Sequence, residues 1–431
     1  MATTQEPIGT LNAPPPAAPP PAAPRSLWRN RDYMLLWSGQ TISSVGTGVS
    51  GLAFPLLILY VLHGNDVQAG ITFALRAFPY LIFSLPAGAL IDRWNRKLVM
   101  IACDTGRALA LGSMPLAAAF GRLSIGQIYI VALIEGSLFV FFNIAEAACL
   151  PRVVPKSQLP AATGQNGATD ALAGIISQPL GGGIFAINQM LPFVGDAISY
   201  VVSVVSLLFI KSRFQNERTV EQRHLLVEIR EGLSWLWHQR LIRYIAFLTG
   251  SANFVFGGIV LVQIELARHL HASTFAIGLI GGIAAIGGII GSIMGAGIQR
   301  RFSFGQVIIG VLIIQAIFWP LLIFAPNIYV IGVISGVIFM VGPIYNVVQF
   351  SYRSALIPDR LQGRVNSAFR LLAFGFQPLG GFMTGLLLQG FGTTVTILFF
   401  WAVFLGSAVI TTFNPLVRDA KPISQIADEV R

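Results

Sequence analysis

The chain has 431 residues, 54% of them hydrophobic and 11% charged, with a formal net charge of +10. Soluble domains carry about 25% charged residues, so this composition, with a mean hydropathy of +0.71, excludes an ordinary soluble enzyme and points to a membrane chain. Cys103 and Cys149 both fall inside apolar runs and read as small buried residues, not as a disulfide or redox pair.

Residues 1–27 contain Ala-Pro-Pro-Pro-Ala-Ala-Pro-Pro-Pro, which cannot pack a core and is expected to be an extended tail without signal-peptide character. Twelve apolar spans follow, near 33–62, 68–91, 98–120, 125–150, 161–188, 191–210, 242–265, 274–298, 307–325, 328–350, 363–389 and 393–413. Each approaches the roughly 20 residues that cross a bilayer as a helix. The expected division is a first six-helix unit over 28–210, a linker over 211–241, a second unit over 242–413 and a tail over 414–431.

Between the second and third spans stands the densest charge cluster of the first half, Gly88-Ala89-Leu90-Ile91-Asp92-Arg93-Trp94-Asn95-Arg96-Lys97. It reads as a tight turn between two membrane helices. Gly88 lets a helix end lie close to a neighbour, and Asp92 can cap a helix start or accept Arg93, Arg96 or Lys97. Such a clasp can hold two helices in one arrangement and release them in another. Gly88, Leu90, Asp92, Arg93, Arg96 and Lys97 follow the pattern Gly-x-Leu-x-Asp-Arg-x-Gly-Arg-Arg/Lys, with Asn95 in place of the second Gly; Asn tolerates left-handed backbone. In this the chain resembles the major facilitator superfamily. With Asn-Arg-Asp-Tyr-x-x-Leu-Trp-x-Gly-Gln at 30–40, it is most similar to the bacterial branch of enterobactin-type and macrolide-type exporters. The resemblance implies an all-α membrane protein, twelve transmembrane helices in two six-helix bundles, working as a monomer without a cofactor.

Roughly 23 of the 28 Lys and Arg lie in the tails and the loops on the side of this turn, against Arg122 and Arg268 on the other. That is a positive-inside pattern with both termini cytoplasmic, and it assigns the basic excess to topology rather than to nucleic acid. In the linker, Leu225, Ile229, Leu233, Leu236 and Trp237 recur at helical spacing, predicting an interfacial amphipathic helix. The halves repeat weakly: Asn143 and Pro155 match Asn346 and Pro358, Asn166 matches Asn366, and Gln178-Pro179-Leu180-Gly181-Gly182 recurs as Gln377-Pro378-Leu379-Gly380-Gly381. Parallel repeats imply two bundles with a substrate site between them, as the resemblance also implies. Gly287, Gly291 and Gly295 in the eighth span, with Gly278 and Gly282 above, form a small-residue face. Gly164, Gly167, Ala171 and Gly174 form another on the fifth. The resemblance implies that the fifth and eighth helices meet across the halves, as a moving contact or as static packing.

Ionisable groups at membrane depth are functional candidates by default. Asp104 and Arg107 stand one turn apart on the third span, either a structural pair or part of a coupling site. Glu135 has no cation within one turn in sequence; desolvation disfavours the charged form of such an acid, so it reads as a proton carrier or as a hydrogen-bonded structural acid. Asp170 and Arg370 occupy nearly equivalent repeat positions and read as a bridge between bundles or as two unrelated pairs. Arg76 can bind an anionic substrate group or partner Asp170. Asp196 reads as a cap for the sixth span. Tyr80, Phe141, Phe142, Phe254, Phe256, Trp319, Phe339 and Tyr345 can line a cavity, although most of the 31 Phe belong to core or lipid. No Gly-Lys pair, Gly-x-Ser-x-Gly or His-Glu-x-x-His occurs, so neither a nucleotide-driven pump nor an enzyme is indicated, and His63, His269 and His271 read as loop residues, not metal ligands. The expected function is a secondary transporter of the bacterial cytoplasmic membrane, exporting an amphipathic small-molecule substrate against protons. The rivals are a non-transporting receptor or scaffold, an uptake system, or a lysophospholipid carrier.

Overall fold

A computed structural model describes residues 27–212, 214, 225–358 and 361–420, apart from the side chains at 89, 92 and 225–229. The side chains of Asp92, Leu225 and Ile229, with residues 1–26 of the tail expected at 1–27 and residues 421–431 of the tail expected at 414–431, therefore lie outside the described residues. The first bundle comprises α1 (Arg31–Leu56), α2 (Asp66–Arg93), α3 (Arg96–Ala119), α4 (Ile125–Val153), α5 (Leu159–Ile187) and α6 (Leu191–Phe209). A connecting helix, α7 (Leu225–His238), leads to α8 (Arg240–Phe256), α9 (Ile259–His269), α10 (Thr274–Arg301), α11 (Phe304–Phe318), α12 (Ile328–Leu356), α13 (Gln362–Gly375), α14 (Gln377–Phe413) and the short α15 (Pro415–Arg418). Helix starts are written in polar caps. Asn65 and Gln68 form a reciprocal box before α2, Ser303 and Gln306 one before α11, and Ser124 and Ser273 cap α4 and α10, each satisfying a backbone N–H the helix leaves open.

Ten described stretches are long and apolar enough to cross a membrane. The last spans 52 residues and holds two passes, because Gly392, at φ 77° and ψ 178°, reverses the chain in a region only glycine adopts readily. With α3, which carries more charge, the architecture is consistent with twelve crossings. The seventh span is broken at Gly257–Gly258, between α8 and α9, and the eleventh at Phe376, between α13 and α14. The two breaks meet, since a Cβ on Gly257 would lie 3.1 Å from the Gly381 nitrogen.

Two seams join the bundles, both at the end opposite the Arg93–Lys97 turn. In one, α2 meets α14, and a Cβ on Gly70 would lie 3.0 Å from the Gly385 Cα. In the other, α5 meets α10, and a Cβ on Gly278 would lie 2.9 Å from the Pro179 Cα. The repeated Gln-Pro-Leu-Gly-Gly segments thus supply one side of each seam. Nearer the turn the second seam opens: a Cβ on Gly174 would lie 3.9 Å from the Ala285 methyl, and one on Gly164 or Gly167 would meet nothing within 4 Å. The structure is closed at one end and parted at the basic end.

Three details differ from the sequence expectation. The face of Gly287, Gly291 and Gly295 does not meet α5; it packs inside the second bundle on α12, against Gly336, Met340 and Val347. Gly278 and Gly282 make the inter-bundle contact instead. A Cβ on Gly88 would meet nothing within 4 Å, so no close helix approach depends on it. Asn95 is extended, at φ −67° and ψ 106°, and caps α3 by accepting from the Leu98 N–H; its side-chain oxygen, not a left-handed backbone, explains its place.

At the basic end the first bundle is tied together through main-chain oxygens. Arg96 donates to the Ala148 and Phe214 carbonyls at 3.0 and 3.3 Å, and Lys97 to those of Ile210 and Leu208 at 2.8 and 3.3 Å, which suits a cation at the C-terminus of α6. Arg93 is exposed. The connecting helix α7 lies against α13, with Glu231 paired to Arg364 and Leu236 buried.

Candidate functional site

An apolar helix bundle tolerates charge at mid-depth only where the charges satisfy one another. Here α2, α3 and α4 each turn one long polar side chain inward. Glu135 on α4 is 2% exposed and sits between two guanidinium groups: Arg76 Nε is 2.9 Å from one carboxylate oxygen and Arg107 Nη2 2.9 Å from the other. Arg107 Nη1 is also 3.5 Å from Asp104 Oδ1. The guanidinium of Arg107 stacks on Tyr200 of α6, 4.0 Å from the ring centroid, and that of Arg76 on Phe54, at 4.9 Å. Glu135 is therefore not the isolated acid its sequence neighbourhood suggests; its partners are 59 and 28 residues away. Gly136 makes the pairing possible, because a Cβ there would lie 2.9 Å from the carbonyl carbon of Arg76, and α2 could not come close enough to α4.

Two cavities flank this cluster. One, of about 460 Å³, lies inside the first bundle and presents Glu146, Asp170, Trp37, Gln40 and Arg107. The other, of about 430 Å³, lies between the bundles and presents Arg76, Glu135, Tyr80, Arg370, Phe374 and Gln377. Thr47, Phe139 and Asn143 belong to both linings, so the ion cluster stands in the wall between an acidic chamber and a basic, aromatic one. The broken helices contribute Gly257 and Gln377 to the second chamber, the position where interrupted membrane helices serve ligands.

The structure brings Arg76, Asp104, Arg107 and Glu135 together and leaves Asp170 and Arg370 apart. No ion pair joins those two: Asp170 faces the first chamber and Arg370 the second, where its guanidinium lies 5.8 Å from the Tyr80 ring centroid. Arg76 partners Glu135, not Asp170. Of the aromatic candidates, Tyr80 and Phe142 line chambers, whereas Trp319 and Phe339 each meet Phe256 edge to face in the second bundle's core. Glu265 pairs with Arg268 at 2.8 Å, which reaches to 4.0 Å from Asp66 of the other bundle at the closed end.

Asp196 is the residue the sequence misplaces. It is no cap: Met190 precedes α6 without a side-chain cap, and Asp196 lies inside the helix, fully buried. Its signal was present in a stripe of Asp196, Ser199, Tyr200 and Ser203, spaced i, i+3, i+4, i+7 on one helix face. That stripe faces the small residues of α1, where Gly39 and Gly46 leave room for Ser206, Ser199 and Asp196.

A sequence profile described as Major Facilitator Superfamily matches residues 36–263 of the chain. The multidrug efflux pump Tap of Mycolicibacterium fortuitum is 24% identical over 397 residues, covering 90% of this chain and 96% of that protein. Macrolide efflux protein A of Streptococcus pyogenes is 22% identical over 213 residues, 48% of this chain and 52% of that one. Among solved structures, the nucleoside transporter NupG superposes with a TM-score of 0.70 at 15% identity, covering 90% of this chain and 100% of that one. A bacterial homologue of the iron transporter ferroportin, in its inward-facing state, gives 0.65 at 18%, covering 90% and 99%. These structural likenesses concern the fold.

Proposed function

The chain belongs to the Major Facilitator Superfamily, a multi-pass membrane transporter, and from that premise we propose that it exports amphipathic small molecules from the bacterial cytoplasm in exchange for protons. The observation that carries the reading is the Arg76–Glu135–Arg107 bridge set in the wall between two chambers. A change of charge on either side of that wall alters which guanidinium Glu135 holds, and that links the contents of the chambers to the packing of α2, α3 and α4. The positive-inside count supports a cytoplasmic basic end and cytoplasmic termini, so the parted end opens to the cytoplasm, the side on which an exporter loads. Relatives whose names specify multidrug and macrolide efflux support the direction and an amphipathic cargo.

In this reading the cargo enters the chamber between the bundles, with its apolar part on Tyr80 and Phe374 and polar groups at Arg370 and Gln377. The 88–97 turn acts as the latch of the basic end: Arg96 and Lys97 hold the first bundle's rim, and Arg93 stands at the surface that meets the second bundle on closing. Asp170 and Arg370, apart in the parted state, approach as that end closes. The seams at the other end then separate, and the cargo leaves.

The test uses inverted membrane vesicles containing the full chain and radiolabelled erythromycin as probe. An imposed inside-acid pH gradient should drive accumulation, and Arg76→Gln should abolish it. Accumulation that ignores the gradient would refute proton-driven export.

A further inference from the structure

Three carboxylates, Asp104, Glu135 and Asp196, share one buried region with two guanidinium groups, Arg76 and Arg107. With every group ionised the region would hold one unmatched negative charge at membrane depth, where an unpaired ion is strongly disfavoured. The pairing shows where the imbalance falls. Glu135 has two guanidinium partners and Asp104 has one. Asp196, at 0% exposure, has no cationic nitrogen within 4.0 Å among the described residues; its hydrogen-bonding neighbours are two hydroxyls, Ser50 Oγ at 2.5 Å from Oδ2 and Ser199 Oγ at 3.1 Å from Oδ1.

Those hydroxyls have other calls on their hydrogens. Ser50 Oγ is 3.2 Å from the Thr47 carbonyl, one turn back on α1, and Ser199 Oγ is 2.7 Å from the carbonyl of Asp196 itself. A serine has a single hydrogen to donate. If Ser50 gives it to the Thr47 carbonyl, the contact between Ser50 and Asp196 is a hydrogen bond only when the carboxyl supplies the hydrogen. An acid Oδ2–H donating to Ser50 Oγ, with Ser50 donating onward to Thr47, makes that short contact a hydrogen bond and neutralises the region. Packing is shaped around this group: a Cβ at Gly46 would lie 2.6 Å from Asp196 Oδ1.

We propose that Asp196 carries the proton exchanged during transport, and that Glu135 is the fixed bridge its charge acts upon. The assignment rests on the proton-coupled reading above. The connection runs through Thr47, whose hydroxyl is 2.8 Å from Tyr200 Oη and 3.4 Å from Arg107 Nη2, and which lines both chambers. Loss of the proton from Asp196 places a new negative charge beside Arg107 and draws that guanidinium from Glu135, leaving Glu135 to Arg76 alone. The charged and titratable groups around Asp196 are Arg107 and Asp104 from α3, Glu135 from α4, Arg76 from α2 and Tyr200 from its own helix; α1 offers only Gly46, Thr47 and Ser50.

The experiment combines infrared difference spectroscopy with transport by the purified full chain. At neutral pH the wild type should show a protonated-carboxyl stretching band that Asp196→Asn loses and Asp104→Asn keeps. Ser50→Ala, a small change that leaves the acid in place, should move that band to higher frequency. A band absent from the wild type, kept in Asp196→Asn, or unmoved in Ser50→Ala overturns the proposal. In proteoliposomes, Asp196→Asn should retain erythromycin exchange and lose gradient-driven accumulation. Gradient-driven accumulation equal to wild type in Asp196→Asn overturns the assignment alone, whereas a wild type indifferent to the gradient overturns the exporter reading and leaves the infrared result standing by itself.

Discussion

Replacing Glu135 by Gln separates two accounts of this residue by stability alone. An isolated, neutral acid in an apolar helix is nearly isosteric with glutamine, and the substitution would cost about 0–1 kcal/mol. A carboxylate held at 2.9 Å by two guanidinium groups behaves otherwise, since removing its charge leaves Arg76 and Arg107 facing each other with Asp104 as the remaining counter-charge. Breaking a buried pair on one side costs about 3–5 kcal/mol, because the surviving charges stay desolvated. At about 1 °C per kcal/mol for a chain of this length, the melting temperature of the detergent-purified chain should fall by about 3–5 °C. Arg76→Gln in the same background should recover part of the loss, because it removes the surplus cation; the two sites should couple by about 1–3 kcal/mol. The assay is a thermal-shift series over wild type, both single variants and the double variant. A Glu135→Gln protein melting within about 1 °C of wild type would refute the bridge.

The two seams and the last reversal allow similar tests. Gly278→Val should force α10 off α5, because Pro179 backbone lies 2.9 Å from the position of the first added carbon, an overpacking of about 1–3 kcal/mol directed at the closed end; a cysteine placed at Thr274 should then react faster with a water-soluble maleimide, and unchanged reactivity would count against the seam. Gly392→Ala should cost about 1–3 kcal/mol for its glycine-only backbone, whereas Gly390→Ala, in open space two residues earlier, should be neutral; equal melting temperatures for the pair would contradict the reversal.

How much of this was legible in the sequence depends on the distance over which each residue acts. Caps such as Asn65 with Gln68, the basic turn at 93–97 and the Gln-Pro-Leu-Gly-Gly repeat are local signals, and they place helices and seams well. Glu135 looks solitary because its partners sit on other helices, and no spacing rule reaches across 28 or 59 residues. The glycines of α10 misled for a geometric reason. Steps of four keep to one face, but the step of five from Gly282 to Gly287 turns the stripe by about 140°, so one helix shows glycine first to α5 and then to α12. Asp196 was misread because a carboxylate near a helix start is usually a cap; the serines and tyrosine along its face carried the better clue.

The glycine seams bear on how readily such a molecule changes shape. Where main chain lies directly on main chain, no side chain must leave one rotamer and find another before the surfaces part. The surrender is confined to many weak dispersion contacts that fade together over a fraction of an ångström. A joint of this construction has little intrinsic preference beyond shape, so modest forces acting on either half are enough to decide its position. The repeat has placed two such joints on opposite flanks of the molecule, and the halves can tip on both at once.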